Sequence, residues 1–403
     1  MARRLRQSIR EIAAPAGLVG GPFGSNLVAN DYCDQGIPVI RGSNLGQGRY
    51  VSGDFAFVSQ EKFERDLARN TATAGDIVFT QRGTLGQIAL IAPSDLRTYV
   101  ISQSQMRLRV DPKKANADFV YYAASTPEFQ RLIRERAIAT GVPHINLGIL
   151  GELTLPLPSV LTQQAIADVL GALDDKIASN ALTTDSASAL AAAEFQGAVR
   201  ASSRVVRVAD VSTLITRGSA PRYVSEDKGL PILNQKCIRN GRVNRMLARS
   251  GDPSRIRKDT VLTRGDVLIN STGTGTLGRV GRWTEDLPAS LDSHVTLVRP
   301  APHEGVNHVG YALLALEGVF ESLAEGSTGQ TELSRASVAQ TEIRMPSIVK
   351  PSLEELLDSL TRFADAATAQ ASMLTTLRDQ LLPKLMSGEL RVEDAEKQVE
   401  EVV

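Results

Sequence analysis

Short apolar runs, separated by glycine, aspartate and proline, fill two long stretches of the chain. Each run has the length of a β-strand, and turn-forming residues at both ends are typical of strands. A segment with helical periodicity follows the runs in each stretch, at 119–136 and at 309–323. Each stretch is therefore predicted to be a mixed α/β domain. The strand-like runs lie at 38–40, 77–80, 88–91, 232–234 and 267–270.

A narrow apolar seam marks the segment after each stretch. Apolar and small residues recur every three or four positions in 162–200, and 351–390 carries a heptad seam. A seam this narrow does not cover a globular core, so we predict that the two helices pack on each other; the alternative is that each packs on its own domain. We expect Thr162 to cap the first helix and Pro383 to kink or end the second. The predicted seam residues are Ile166, Leu170, Leu173, Ile177, Leu353, Leu357, Leu360 and Leu374.

The two stretches repeat one plan at an offset of about 190 residues. The matching segments keep their order: 36–41 with 229–234, 74–79 with 264–269, 83–86 with 275–278, 104–105 with 293–294, and 141–146 with 329–334. Collinear matches indicate an internal duplication. They predict an α+β fold in which two similar mixed α/β domains, related by a pseudo-twofold repeat, are separated by two long helices packed as an antiparallel coiled coil. The predicted parts are a first domain at 1–161, a helix at 162–200, a second domain at 201–350, a helix at 351–390, and a frayed acidic tail at 391–403.

Charge is distributed unevenly although the formal net charge is zero. The two predicted domains carry net charges of +4 and +5, whereas the first helix carries −3 and the segment from 351 onwards −6. Arginine provides 35 of the 45 basic residues, and its fork suits phosphate and guanine. The domains are therefore candidates for nucleic-acid contact, the alternative being ordinary solvated surface. Two distant cysteines, no signal-peptide pattern and no membrane-length apolar run favour the reducing cytoplasm.

Motifs of catalysis and metal binding are missing from the sequence. The run Gly-Thr-Gly-Thr-Leu-Gly at 273–278 fits a dinucleotide pattern, but it is better explained as the turn that 83–86 forms in the other copy. The four histidines have no metal-ligand spacing, and His303 and His308 are expected in an exposed loop. We find neither a nucleophile elbow nor the motif by which an amino-methyltransferase holds an extruded base. The chain is thus predicted to be non-catalytic, with no metal site.

The order and duplication of these motifs resemble the specificity subunits of Type I restriction–modification systems along nearly the full chain. The segments that carry the resemblance are Gly-Pro-Phe-Gly-Ser at 21–25, Gly-Ser-Ala-Pro-Arg-Tyr at 218–223, Gly-Ile-Pro-Val-Ile-Arg at 36–41, Ala-Gly-Asp-Ile-Val at 74–78, Leu-Pro-Leu-Pro at 155–158 with Thr-Gln-Gln-Ala-Ile-Ala at 162–167, and Leu-Leu-Pro-Lys-Leu-Met-Ser-Gly-Glu-Leu at 381–390. The resemblance implies two target-recognition domains that each read half of a split site in double-stranded DNA. It also implies two methyltransferase subunits as partners, which motor–nuclease subunits can join. The methyl donor and ATP would belong to those partners, so no cofactor is expected in this chain.

Candidate base-reading side chains are polar residues in turns next to the predicted strands, many at equivalent positions of the repeat. Arginine suits guanine, and asparagine and glutamine suit adenine; the alternative is that they are simply exposed polar residues. A helix pair about 50–58 Å long would separate the half-sites by about 15 base pairs. The candidates are Arg41, Asn44, Gln81, Arg82, Gln103, Gln105, His144, Asn234, Gln235, Lys236, Asn270, Ser271, Thr272, His294 and Gln330.

Three other functions stay open at this point. The chain could be a stand-alone DNA-binding or anti-restriction protein of the same fold, which works without a methyltransferase. It could also be an enzyme that binds nucleotide at the turn around Gly273, or a coiled-coil scaffold with no DNA role. Co-purification of a methyltransferase, nucleotide binding and salt-sensitive DNA affinity distinguish these alternatives.

Overall fold

A computed structural model describes residues 5–46, 48–139, 141–225, 228–323 and 332–402 of the chain. Its contacts divide the chain into two compact units. Unit 1 comprises 1–180 and 370–403, and unit 2 comprises 181–369. Both divisions fall inside a long helix, so each long helix contributes one part to each unit. The predicted α+β class with two long helices packed together is confirmed.

Unit 1 contains three small sheets. The strands are β1 (Leu5–Ser8), β2 (Ala13–Gly20), β3 (Tyr32–Cys33), β4 (Ile37–Ile40), β5 (Ala56–Val58), β6 (Thr71–Ala72), β7 (Ile77–Thr80), β8 (Ile88–Leu90), β9 (Tyr99–Ile101), β10 (Gln105–Val110) and β11 (Thr154–Leu157). One sheet pairs β1 with β11, the second has the order β2-β10-β7-β8, and the third has the order β3-β5-β4-β9-β6. Nearly every pairing is antiparallel, but β4 and β9 run parallel.

The helices of unit 1 begin at side-chain caps. Ser8 and Glu11 form a capping box at the first helix. The helix predicted at 119–136 is divided in two, because Thr126 has extended backbone angles, caps a new helix and is followed by Pro127 at its first position. The helices are α1 (Ile9–Ile12), α2 (Gln60–Lys62, continued by a π-turn at Phe63–Leu67), α3 (Ala117–Ser125), α4 (Pro127–Glu135), α5 (Leu147–Glu152) and the long α6 (Val160–Ala201).

Unit 2 repeats the central strand order of unit 1 within sheets that have different numbers of strands. Its strands are β12 (Ser203–Arg207), β13 (Ser212–Arg217), β14 (Leu230–Leu233), β15 (Ile238–Arg239), β16 (Gly241–Val243), β17 (Arg249–Gly251), β18 (Val267–Asn270), β19 (Val280–Arg282), β20 (Ser290–Leu291), β21 (Val295–Pro300) and β22 (Glu342–Pro346). Its sheets pair β12 with β22, and have the orders β13-β21-β18-β19-β16-β15 and β17-β14-β20. The helices of unit 2 are α7 (Val306–Leu314), α8 (Glu317–Ser322), α9 (Arg335–Gln340) and the first part of the long α10 (Pro351–Ser387). The last helix, α11 (Val392–Glu400), belongs to unit 1.

The long helices pack antiparallel within each unit. In unit 1, Asp174 accepts a hydrogen bond from Arg378 at 2.6 Å, and Asn180 donates one to Gln370 at 3.0 Å. In unit 2, Thr184 Oγ1 lies 3.1 Å from Thr368 Oγ1. These side chains belong to α6 and α10, so the two helices contact each other in both units.

The seam residues are also part of the domain cores. Ile166 and Leu170 on α6 belong to one buried cluster with Phe119 of α3, and Leu357 of α10 belongs to another with Val309 of α7. The alternative that each helix packs on its own domain is therefore realised as well. The full predicted seam is buried or partly buried: Ile166, Leu170, Leu173, Ile177, Leu353, Leu357, Leu360 and Leu374.

Three predictions at helix ends are corrected. The first long helix begins at Val160, and Ser159, not Thr162, caps it by accepting the Thr162 amide at 3.2 Å. Pro383 lies inside α10 and does not end it. The predicted frayed tail is wrong as well, since α11 is a helix whose Ala395 is fully buried in the unit 1 core.

Candidate nucleic-acid interface

One end of the β2-β10-β7-β8 sheet brings several predicted site residues together. Gly20 pairs with Met106 and Gln105 with Thr80, so the end of β2, the start of β10 and the end of β7 lie side by side. We call this the unit 1 end surface; it consists of 20–24, Arg41, 81–86, 103–104 and His144. The backbone hydrogen bonds that assemble it run from Gly21 N to Gln105 O (2.9 Å), Gln81 N to Ser104 O (2.7 Å), Ser102 N to Ile40 O (3.0 Å) and Ile145 N to Gln81 O (3.0 Å).

Unit 2 builds an equivalent surface from the same kind of strand ends. Arg217 pairs with Thr296 and Asn270 with Val295. We call it the unit 2 end surface; it consists of Gly218, 234–236, 271–278 and 292–294. Its backbone hydrogen bonds run from Gly218 N to Val295 O (3.4 Å), Ser271 N to His294 O (2.9 Å), Asp292 N to Leu233 O (2.9 Å) and Leu333 N to Ser271 O (2.9 Å).

The glycine that opens each surface is required by a close approach of backbone. A β-carbon on Gly21 would lie 2.0 Å from the carbonyl oxygen of Ser102, and one on Gly218 would lie 2.0 Å from that of Leu291. No side chain fits at such a distance. The lack of space therefore explains why glycine stands at positions 21 and 218, in the motifs that open the two copies of the repeat.

These hydrogen bonds also correct one match of the repeat. Gln81 binds Ser104 as Ser271 binds His294, so Ser104 is the equivalent of His294 rather than of Ser293. Gln105 then corresponds to Val295, and both lie within a strand. The shift by one residue matters because it moves a side chain to the other face of a strand.

Four predicted readers are fully buried and belong to the scaffold. The amide nitrogen of Asn44 donates to the carbonyls of Ser52 and Asp54 at 3.0 and 3.1 Å. The amide nitrogen of Asn270 donates to Gln235 and Thr276, both at 3.0 Å. Groups used in this way cannot reach a base edge. The four buried residues are Asn44, Gln105, Asn270 and Ser271.

The remaining described candidates are accessible at the two end surfaces. The side chain of Gln103 donates to the carbonyls of Gly24 and Leu27, and Thr272 Oγ1 lies 2.7 Å from His294 Nδ1. Gln330 lies outside the described residues. Base contact by any of them stays a prediction. The exposed side chains are Arg41, Arg82, Gln103, Lys236 and His294, and the half-buried ones are Gln81, His144, Asn234, Gln235 and Thr272.

One carboxylate beside the unit 2 end surface has a shifted pKa. Asp292 is almost fully buried and accepts a hydrogen bond from the His294 backbone at 2.9 Å. Burial raises its pKa, because the charged carboxylate loses hydration that one backbone hydrogen bond does not replace.

A duplicated ion pair with a buried carboxylate lies at the opposite end of the same strands in each unit, and sequence reasoning missed its role. Arg109 forks onto Asp76 with two contacts of 2.7 Å, and Arg299 forks onto Asp266 at 2.9 and 2.7 Å. Both carboxylates are almost fully buried, and the hydrogen bonds to them raise the pKa of each arginine. The Gly-Asp pairs of the repeat thus hold β7 against β10 and β18 against β21.

Two accessible side chains at these ends were also missed. Phe23 is 88% exposed on the loop that follows β2. Arg279 donates to the carbonyl of Gly275 at 2.8 Å and so holds the unit 2 turn.

The glycine-rich run of unit 2 connects two antiparallel strands. It joins the end of β18 to β19, and the next element is a strand rather than a helix. A dinucleotide motif needs a helix N-terminus after the loop, so this run does not form that geometry.

The histidines at 303 and 308 differ in their exposure. The prediction for His308 is wrong: it is fully buried in α7, where its Nδ1 lies 2.6 Å from Glu354, whereas His303 is exposed. Within the described part of the chain, no three His, Cys, Asp or Glu side chains are grouped as a metal site. None of the helices among those residues is long and apolar enough to span a membrane.

The comparisons with known proteins agree with the resemblance noted in the sequence. Residues 24–186 match the family of the Type I restriction modification DNA specificity domain. Over part of its length the chain is also similar to two Type I specificity subunits. The MjaVIII specificity subunit of Methanocaldococcus jannaschii is 22% identical over 151 residues, which are 37% of this chain and 35% of that protein. The HindI specificity subunit of Haemophilus influenzae is 27% identical over 132 residues, which are 32% of this chain and 28% of that protein.

A solved specificity subunit has the same fold along nearly the whole chain. The crystal structure of the S subunit from M. genitalium aligns with a TM-score of 0.61 and 17% identity, and covers 94% of this chain and 95% of its own. The alignments with the two curated specificity subunits span only about a third of their length. The segment that matches the specificity-domain family contains Arg41, 81–86 and His144 of the unit 1 end surface, whereas the unit 2 end surface lies outside it.

Proposed function

We propose that this chain is the DNA-specificity subunit of a Type I restriction–modification complex and that its two end surfaces each read one half of a split target in double-stranded DNA. The observation that carries the proposal is the duplication of the surface. Two sheets with the same strand order at their centres, β2-β10-β7-β8 and β13-β21-β18-β19, end in equivalent backbone hydrogen bonds. Two copies of one reading surface suit a target with two parts.

The chemistry of the accessible side chains supports DNA as the partner. Arg41 and Arg82 in unit 1 and Lys236 in unit 2 are exposed, and none of the three forms an ion pair with another described residue. Cations of this kind can bind phosphate or a guanine edge, and the half-buried glutamines and asparagine beside them can bind adenine. The surrounding loops are tied to strand ends, so the backbone that carries these groups is held in place before DNA arrives.

The spacing of the two half-sites belongs to the same proposal. Helices α6 and α10 contact each other within both units, and we propose that they act as an antiparallel coiled coil that fixes the gap. Deleting two helical turns from α6 and from α10 is expected to shorten the gap and to leave both half-sites unchanged. A deletion that changes the sequence of a half-site and keeps the gap contradicts this role.

The partners follow from the same assignment. Two methyltransferase subunits would dock on the chain and supply the methyl donor, and motor–nuclease subunits with ATP could join them. The chain itself would bind DNA without modifying or cutting it. Co-expression with the neighbouring methyltransferase, followed by mapping of methylated adenines, is expected to show one split motif with a fixed gap.

A selection experiment tests the reading role directly. The full chain is incubated with a duplex library that has a randomised core, and bound sequences are enriched and read. We expect a split motif. Arg82→Ala should relax only one half-site and Lys236→Ala only the other, because the two side chains lie on different end surfaces.

Lys113→Ala is the matched control for the loss of one positive charge. Lys113 is exposed and lies beyond the end of β10 that points away from the unit 1 end surface. This variant should enrich the wild-type motif. A motif without a gap, or one in which Arg82→Ala alters both halves, contradicts the proposal.

A further inference from the structure

An exposed aromatic ring stands on the unit 1 end surface. Phe23 is 88% exposed, and Leu96 is the one described large hydrophobic residue that exceeds it, at 96%. Single exposed apolar side chains are ordinary on protein surfaces, so exposure alone carries no function. A function for Phe23 depends on how firmly its loop is held and on which residues surround it.

The loop that carries the ring is tied down at several points. The side-chain nitrogen of Gln103 donates to the carbonyls of Gly24 and Leu27 at 3.0 and 2.6 Å. Within the loop, Asn26 N donates to the carbonyl of Phe23 at 2.7 Å. At its start, Gly21 is pressed against Ser102, with no space for a β-carbon. The ring therefore projects from a fixed turn rather than from a loose loop.

The neighbours of this turn include hydrogen-bonding groups as well as an apolar side chain. The same strand ends that hold it also hold Gln81 and Arg82, and a β-carbon on Gly20 would lie 3.7 Å from the side chain of Leu147 and 3.9 Å from the side-chain oxygen of Gln81. A nucleobase has a polar edge and an apolar face of ring size, and so it fits one exposed ring among hydrogen-bonding groups.

The aromatic residue in the opening motif of the second copy is less exposed than Phe23. Tyr223 in the opening motif of unit 2 is 36% exposed, and the guanidinium of Arg249 covers its ring at 3.5 Å. A ring covered by a cation has one face less to offer to a base. The free ring is thus a feature of unit 1.

We propose that Phe23 contacts a base in the half-site that unit 1 reads, with its ring packed against the base stack. This inference rests on the proposed DNA-reading function and adds an apolar contact to it. An apolar side chain that wedges between two stacked base pairs has to open that step, and the energy needed to open it differs between sequences. The contact would therefore depend on the DNA sequence.

A tryptophan reporter tests the contact. The chain has one tryptophan, Trp283, which is 1% exposed, so Phe23→Trp introduces the only accessible indole. The variant is titrated with the duplex that wild type enriches or, where none is enriched, with a mixed-sequence duplex of the same length. We expect the introduced indole to be quenched by the bases and to become inaccessible to acrylamide. Leu96→Trp is the control, because Leu96 lies on the loop between β8 and β9 and away from the end surface; its indole should stay accessible.

Binding measured by anisotropy of the labelled duplex separates the outcomes. Phe23→Ala should weaken binding to the enriched duplex about 10-fold. It should leave the salt dependence unchanged, whereas Arg82→Ala should lower the slope of log K against log salt by about 1. If the duplex binds while the indole introduced at position 23 stays accessible, the inference is overturned and the proposed function stands. If wild type does not bind the duplex, the proposed function falls and the inference falls with it.

Discussion

Replacing Asp76 by asparagine removes the charge at the centre of the unit 1 ion pair and keeps the shape of the side chain. Asp76 accepts the fork of Arg109 and lies 3.8 Å from Arg107. Arg109 is 45% exposed and can be hydrated again after the change, but the side chain of Arg107 is only 7% exposed. Arg107 would keep its hydrogen bond to the carbonyl of Ala16 and lose its counter-charge.

The expected loss follows from that difference in exposure. Breaking a buried ion pair by removing one partner lowers the free energy of unfolding by about 3–5 kcal/mol. Because Arg109 is exposed and can be hydrated, we expect a loss of about 3 kcal/mol at this site. For a unit of this size, that loss lowers the melting temperature by about 6–12 °C. Unit 2 provides the comparison. Among the described residues, Asp266 forms an ion pair with Arg299 only and also accepts the Thr263 amide at 2.8 Å. The position equivalent to Arg107 is the apolar Leu297, so Asp266→Asn should cost about half as much.

The assay is thermal unfolding followed by circular dichroism, with the fluorescence of the buried Trp283 as a separate report on unit 2. Arg107→Leu in the Asp76→Asn background should recover about 1 kcal/mol of the free energy of unfolding, because it removes a buried guanidinium that has lost its counter-charge. Glu61→Gln, which breaks an exposed ion pair with Arg65, should change nothing measurable. Equal losses at Asp76 and Asp266, with no recovery from Arg107→Leu, would refute the reasoning.

Three further changes have distinct expected outcomes. Burial raises the pKa of Asp292 in the folded protein. The stability that the protonated carboxyl contributes is therefore present at pH below the unfolded pKa and is lost as the pH rises through the folded pKa. Asp292→Asn should raise the melting temperature at neutral pH and leave it unchanged in acid. Asn180→Leu should cost about 1 kcal/mol by leaving Gln370 without its partner, and the double variant with Gln370→Leu should recover most of it in denaturant titrations. Ser159→Ala should destabilise α6 by about 1 kcal/mol and by more than Thr162→Ala does, since Ser159 is the cap; equal effects in urea unfolding would contradict the assignment.

The repeat and the long helices could be predicted from the sequence because each is indicated by the order and spacing of residues along the chain. Heptad spacing places Leu353 and Leu357 on one face whatever lies opposite. Collinear matches at a constant offset define the order of elements in both copies. The helix caps were less certain, because Ser159 and Thr162 are both good caps and backbone angles decide between them.

Tertiary structure decided which polar residues reach the surface. Asn44 and Arg41 lie three residues apart in the same turn, yet Asn44 is fully buried and Arg41 is exposed. A polar residue at a strand end can turn inwards to bind loop carbonyls or outwards to solvent, and both choices have the same sequence pattern. The choice depends on carbonyls that distant loops bring to the site, such as those of Ser52 and Asp54 for Asn44.

The sequence by itself determined the two-copy plan, the class of fold and the family resemblance, because periodicity, turn residues and repetition depend on neighbours along the chain. Only the tertiary structure showed that Asp76 and Asp266 anchor their sheets, that the acidic tail is a docked helix, and that Phe23 is exposed at the same end of the sheet as Arg82. Burial and hydrogen bonding are set by residues far apart in sequence. They become visible only when the strands that carry them are paired.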